Sequence, residues 1–284
     1  MTVHPSSAAP AGRGAAPWLA GLFVATAVLV AYGFWSLGGL PELASRHGVS
    51  IDATITYLFV TTGILFLLGH GVLTLFVLRY AGSAERAAPE RGSPHASSKL
   101  EWRWALVPVL VMCVIAEGGV LIVGMPAFAQ LYGEAPPDSF VVEVVGKQFE
   151  WLAHYPGPDG VFGRSEAKLV NDARNPIGLD KKDPAAKDDV YTRGQLHLPV
   201  GRGALIRLRA LDVLHSFTVP QFRVKQDLIP GFLGRTQFEP TRTGQFELAC
   251  AELCGLGHYR MRGFITVESQ EEVDKWLSEQ EPAF

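Results

Sequence analysis

Three long apolar segments in the first half of the chain limit what it can fold into. Residues 18–40, 55–80 and 104–131 each reach the roughly 20 residues that carry a helix across the hydrocarbon of a bilayer. No water is available there to satisfy backbone N–H and C=O groups, so each segment is expected to span as a helix. The loop between the second and third carries Arg79, Arg86, Arg91, Lys99 and Arg103, whereas the loop between the first and second has only Arg46. Positive charge is retained on the cytoplasmic side. The N-terminus is therefore expected inside and everything beyond the third segment outside.

The first segment could instead be a cleaved secretion signal. Its apolar run exceeds the roughly 7–15 residues of a signal core, and Glu42-Leu43-Ala44 lacks a small residue at the expected position before a cut. A retained helix is the expectation, and the other two helices keep their orientation either way.

From about residue 134 the pattern changes. Residues 139–145, 149–155, 204–211, 244–250 and 263–269 are alternating or β-branched runs separated by Gly and Pro, which predicts a small antiparallel β-sandwich. Residues 271–280 read as a surface helix. Between them, residues 156–190 are rich in Gly, Pro, Asp and Lys with little apolar periodicity. They form a long surface insertion, read equally as a solvated loop or a docking element. The chain thus divides into a membrane part, 1–133, and an extracytoplasmic part, 134–284. Its net charge of -3 comes without a basic stripe, which argues against nucleic acid.

Chemistry concentrates near the C-terminus, where Cys250, Cys254, His258 and Met261 fall within twelve residues. Two cysteines outside the cytoplasm can form a disulfide, but that leaves His258, Met261 and the glycines Gly255 and Gly257 unexplained. Zinc takes Cys and His, yet a thioether suits copper better. A mononuclear blue-copper site uses one thiolate, two imidazoles and a weak axial ligand. Here His215 supplies the second imidazole and a second thiolate is left over. Two thiolates can bridge two metal ions, each then having one histidine and one weak ligand, Met261 or a loop carbonyl. Such a site relays electrons. Cys113, in the third apolar segment, reads as a packed small residue.

The pattern Cys-x-Glu-x-Cys-x-x-x-His-x-x-Met, with "DVLHSF" (212–217) 35 residues earlier as measured from His215 to Cys250, resembles the dinuclear CuA site of subunit II of cytochrome c oxidase. That resemblance implies a membrane-anchored α plus all-β architecture: two or three transmembrane helices, then a cupredoxin-like Greek-key sandwich. It implies that Cys250 and Cys254 bridge two coppers, that His215 and His258 are terminal ligands, and that Met261 and the Glu252 carbonyl are weak ones. The Glu252 carboxylate is implied to hold magnesium at the boundary with subunit I. Implied partners are subunits I and III, membrane lipids and a c-type cytochrome donor, one that can be membrane-bound or held in a larger complex. The implied location is a bacterial cytoplasmic membrane.

Residues 100–104 with Pro108, "LEWRW" and then proline, resemble the family helix in which a glutamate marks the entrance of a proton path. Glu101 is equally readable as a solvated residue favoured by the helix dipole. Glu117 and His70, deeper in the apolar segments, read as packing or interface residues, a carboxylate in lipid calling for a polar partner.

Departures from the family lie around Gly146-Lys147-Gln148-Phe149-Glu150-Trp151. The first aromatic, often treated as the place where electrons arrive, is Phe149, and Trp151 keeps the second. Leu211 and His154 stand where relatives often have acids, so the donor's landing face is expected to differ. There is no Cys-x-x-Cys-His in the chain, so no covalent heme is expected. The rival reading is a membrane-tethered cupredoxin-like protein that binds or delivers copper, which would leave the helix pattern around Glu101 unexplained.

Overall fold

The structure, a computed structural model, describes residues 12–80 and 98–284. Two compact units are present. One comprises residues up to Leu40 together with Ala53–Val123, and the other comprises Pro41–Asp52 and Gly124–Phe284.

The first unit is helical. Helix α1 (Gly12–Leu37) and helix α2 (Gly48–Tyr80) are followed by α3 (Ser98–Leu110), which continues through a π-helical segment (Val111–Glu117) into α4 (Gly118–Tyr132). Among the described residues, three spans are long and apolar enough to cross a membrane: Gly14–Ser36, Gly48–Tyr80 and Trp102–Tyr132. Their side chains are mostly exposed in the isolated chain, as an apolar surface made for lipid or for other subunits must be. His70 bonds back to the Phe66 carbonyl at 3.0 Å and lies against the rings of Phe66 and Phe23. Cys113, in the π segment, is exposed and not packed within this chain. Arg86 and Arg91 lie outside the described residues, as do the side chains of Lys99 and Glu101.

The second unit is a sandwich of two five-stranded sheets. The first contains β1 (Phe140–Lys147), β2 (Glu150–Tyr155), β3 (Val190–Arg193), β5 (Ala204–Ala210) and β8 (Gly234–Phe238), in the order β3-β2-β1-β5-β8. The second contains β4 (Gln195–Pro199), β6 (His215–Val219), β7 (Val224–Leu228), β9 (Gly244–Cys250) and β10 (Arg262–Glu268), in the order β4-β10-β9-β6-β7. The sandwich is not purely antiparallel: β1 runs parallel to β5, and β4 parallel to β10. The chain changes sheets between these partners, so strands distant in sequence arrive in the same direction.

Inward residues alternate along the strands, as in β5, where Ala204, Ile206, Leu208 and Ala210 are buried. They meet Leu196, Phe217, Leu248 and Ile265 of the opposite sheet in one core. Strands β1 and β2 lack the alternation because they are buried on both faces. The covering comes from residues 156–189, whose Ile177, Leu179 and Ala186 pack against Val145 and Leu152 in a second cluster.

A buried polar ladder joins this covering segment to the sheet. Glu143 and His154 face each other across β1 and β2. Arg209 bonds Glu143 at 3.0 and 3.1 Å, Glu143 meets His154 Nδ1 at 3.0 Å, and His154 Nε2 meets Asp189 at 2.8 Å. Asp189 also accepts from the Gly163 amide at 2.8 Å. His154 is only 1% exposed, so it is no part of a docking face.

Helix α5 (Gln270–Ser278) begins with a capping box, in which Ser269 Oγ accepts from the Glu272 amide and the Glu272 carboxylate accepts from the Ser269 amide. Its Trp276 stacks on His197 at 3.7 Å, which fixes the helix to the sandwich.

Candidate metal centre

The ligand-bearing residues converge from two places in the second sheet. His215 opens β6, Cys250 closes β9, and the two strands are neighbours. After β9 the chain turns through residues 251–261, where Gly255 adopts a φ of 127°, a conformation open to glycine and strained for other residues. A 3₁₀ turn (His258–Arg260) then delivers Met261 to the start of β10.

The two thiol sulfurs are 3.9 Å apart and both cysteines are free. A disulfide requires about 2.05 Å. Each sulfur has one imidazole and one weaker donor beside it. Cys250 Sγ lies 3.9 Å from His215 Nδ1 and 3.2 Å from the Glu252 carbonyl oxygen. Cys254 Sγ lies 3.6 Å from His258 Nδ1 and 3.7 Å from Met261 Sδ. Donors that share a metal at bonds of about 2.0–2.3 Å stand roughly 3.3–4 Å apart, and these spacings match. The donor atoms of His215, Cys250 and Cys254 all lie within 4.8 Å of one another, close enough to hold a metal ion together.

Electrostatics favour a cation between the sulfurs. Burial, then the neighbouring Cys250, pushes the Cys254 thiol up to about 11. Two thiolates this close, in a site where Cys254, Met261 and His215 are buried, need positive charge between them. The donor set of two thiols, two imidazoles, a thioether and a carbonyl suits copper.

The histidine is held from behind. His215 Nε2 bonds Asp212 Oδ1 at 2.8 Å, which leaves Nδ1 directed at Cys250. The other Asp212 oxygen accepts from the Gln148 amide at 2.7 Å, and the Gln148 side-chain amide donates to the Cys254 carbonyl at 2.7 Å. Burial would raise the Asp212 carboxyl, but the Gln148 amide, His215 and the Val213 amide outweigh it and hold the carboxyl below its ordinary range. Asp212 and Gln148 thus tie the histidine to the cysteine loop. Both lie in quoted motifs, "DVLHSF" and Gly-x-Gln, but sequence reading assigned roles only to their histidine and aromatics.

The aromatics are inside. Trp151 is 2% exposed, with its ring edge-on to His215 at 6.1 Å. Gly146 allows this approach, since a β-carbon there would meet both Trp151 and His215 at 3.2 Å. Phe149 is half-buried beneath the loop, and a β-carbon on Gly257 would come within 2.5 Å of its ring. Gly257→Ala should therefore displace the loop and weaken copper binding at least tenfold, read by competition with a chelator. Unchanged affinity would show that Phe149 yields freely. The exposed large apolar residues of the loop are Leu253, Leu256 and Tyr259, none of which sequence reading singled out. Leu211 is half-buried against the covering segment. Glu101 belongs to the helical unit, and its side chain lies outside the described residues.

A family profile described as cytochrome C oxidase subunit II, periplasmic domain, matches residues 140–269. The alternative cytochrome c oxidase subunit 2 of Bradyrhizobium diazoefficiens is 37% identical over 231 residues, spanning 81% of this chain and 80% of that one. The cytochrome c oxidase subunit 2 of Thermostichus vulcanus is 28% identical over 291 residues, spanning 84% and 77%. The crystal structure of the periplasmic domain of subunit II of cytochrome oxidase from Bradyrhizobium japonicum aligns with a TM-score of 0.37 and 30% identity, over 51% of this chain and 95% of that one. With transmembrane helices, a β-sandwich and a relative of this identity and coverage, the chain belongs to the cytochrome c oxidase subunit II family, a component of heme-copper oxidases.

Proposed function

We propose that this chain receives single electrons from a c-type cytochrome at a dinuclear copper centre. It passes them to heme in subunit I, where oxygen is reduced and protons are pumped. The observation that carries this reading is the pair of sulfurs 3.9 Å apart, each flanked by one imidazole and one weaker donor. His215, Cys250, Cys254, His258, Met261 and the Glu252 carbonyl would hold the two ions. Bound there, copper supplies a one-electron couple spread over two nuclei.

The remaining residues keep that site rigid and dry. Asp212 and Gln148 fix the histidine and the loop. Buried Trp151 and Phe217 back the site with the sandwich core. Half-buried Phe149, beneath the loop, is the proposed point of electron arrival, with Trp151 behind it. The half-exposed Glu252 carboxylate is the proposed magnesium ligand shared with subunit I, and Glu101 the proposed proton-path entrance. In this reading subunits I and III are membrane neighbours, the membrane is the bacterial inner membrane, and the β unit is periplasmic.

Rapid mixing of the intact oxidase with a reduced c-type cytochrome tests the proposal. The copper absorbance should change before heme in subunit I is reduced, and Cys254→Ser should slow that reduction at least a hundredfold. Heme reduction at the normal rate in the variant would overturn it.

A further inference from the structure

The third membrane span carries a carboxyl group that the proposed electron path does not use. Glu117 lies at the midpoint of the Trp102–Tyr132 span, about 20 Å of helix from either end. Its side chain is far too short to reach an interface by snorkelling. An ionisable group at that depth is costly unless it finds a polar partner.

No described residue of this chain is placed to supply that partner. Glu117 closes the π-helical segment, and such segments shift side chains around the helix and free carbonyl groups. The Ile115 carbonyl accepts a hydrogen bond from the Tyr57 hydroxyl of α2. Gly119 makes room for that contact, because a β-carbon there would collide with the Tyr57 ring and hydroxyl. Ile115 and Gly119, four residues apart, therefore mark the side of the helix that faces α2. Glu117 stands two residues from each, about half a turn around. It is exposed, and so are Cys113, four residues before it in the wider π turn, and Leu121 at 61%, four residues after it in α4, on the same face.

We propose that this face is an intramembrane docking surface for a helix of a partner subunit, one that presents an uncharged N–H or O–H donor at mid-bilayer to Glu117. Cys113 and Leu121 supply the apolar contact on either side. The occupant is a protein helix, not an acyl chain, because hydrocarbon offers no hydrogen bond to the carboxyl group. The proposal uses the chain's membership of a membrane complex and is independent of the number of coppers bound.

The test uses the intact oxidase carrying Glu117→Leu or Glu117→Gln, with recovery of the complex after mild detergent extraction and the copper absorbance measured together. Glu117→Leu should reduce recovery of the complex at least threefold while the copper absorbance per chain is unchanged. Glu117→Gln, which still accepts a hydrogen bond, should recover as the parent does. A photo-crosslinking residue at position 121 in the purified complex should join the chain to another subunit of the same oxidase. Equal recovery of the Leu variant and the parent would overturn the proposal, as would equal losses for Leu and Gln, or crosslinks to lipid alone.

Discussion

Cys254→Ser should abolish the proposed dinuclear copper centre outright. A serine hydroxyl is a hard, neutral donor where a thiolate is needed. The loss removes the common edge, because Cys254 lies beside Cys250, His258 and Met261 at once. Copper bound per chain should fall from two ions to one or none, and the colour of a shared centre should vanish. Cys250→Ser should do the same from the other side, where its neighbours are His215 and the Glu252 carbonyl. Metal analysis with absorption spectroscopy checks both. A variant that keeps two coppers and an unchanged spectrum would show that the sulfurs do not bridge.

The second large effect is on stability, far from the metal. Asp189→Ala removes a carboxylate that is fully buried and serves both His154 and the Gly163 amide. Breaking a buried pair by deleting one partner costs about 3–5 kcal/mol, because the group left behind is still desolvated. Denaturant unfolding of the detergent-solubilised chain should show a loss of that size, and residues 156–189 should become cleavable by protease. A loss below about 1 kcal/mol would mean that the apolar cluster alone anchors the segment.

The same ladder sets a pH window. Burial lowers the tendency of His154 to protonate, but its bonds to Asp189 and Glu143 outweigh this and raise its pKa above the ordinary 6.5. Its contribution is therefore complete below that value and is lost as pH rises through the raised one. Burial would raise the Glu143 carboxyl, but His154 and Arg209 bring it down to about 2, below its ordinary 4.5. That contribution is complete above 4.5 and is lost as pH falls through about 2. In Asp189→Ala the alkaline limb should move to lower pH, since one of the two carboxylates holding the His154 proton is gone.

The membrane helices were legible because hydrocarbon thickness imposes a length that few other structures share. Strands β1, β2, β5, β9 and β10 were legible as β-branched or alternating runs. Strands β3, β4, β6, β7 and β8 were not: "VYTR", "QLHLP", "HSFTV", "VKQDL" and "GRTQF" are short and interrupted by polar residues, and pairing with neighbours makes them strands. The parallel pairs were invisible because direction depends on where the chain changes sheets. Residues 156–189 looked polar because Ile177, Leu179 and Ala186 are sparse and follow no period. Their cohesion comes from Asp189 and the face of β1 and β2 they cover.

At the site, the candidate donors and their spacing showed in the sequence because soft donors are rare and cluster in one loop. Asp212 and Gln148 did not, since their shared bond joins residues 64 apart. His154 misled for the opposite reason: its position beside an aromatic run suggested the surface, whereas the fold seals it between two carboxylates. Phe149 and Trp151 stood out as aromatics, but only the fold shows that one lies beneath the loop and the other within the core.

The most direct measurement is electron paramagnetic resonance of the copper-loaded, partly oxidised protein. The account predicts the hyperfine pattern of one unpaired electron shared equally by two copper nuclei, lost in Cys250→Ser and in Cys254→Ser. The pattern of a single copper nucleus in the parent protein would contradict it.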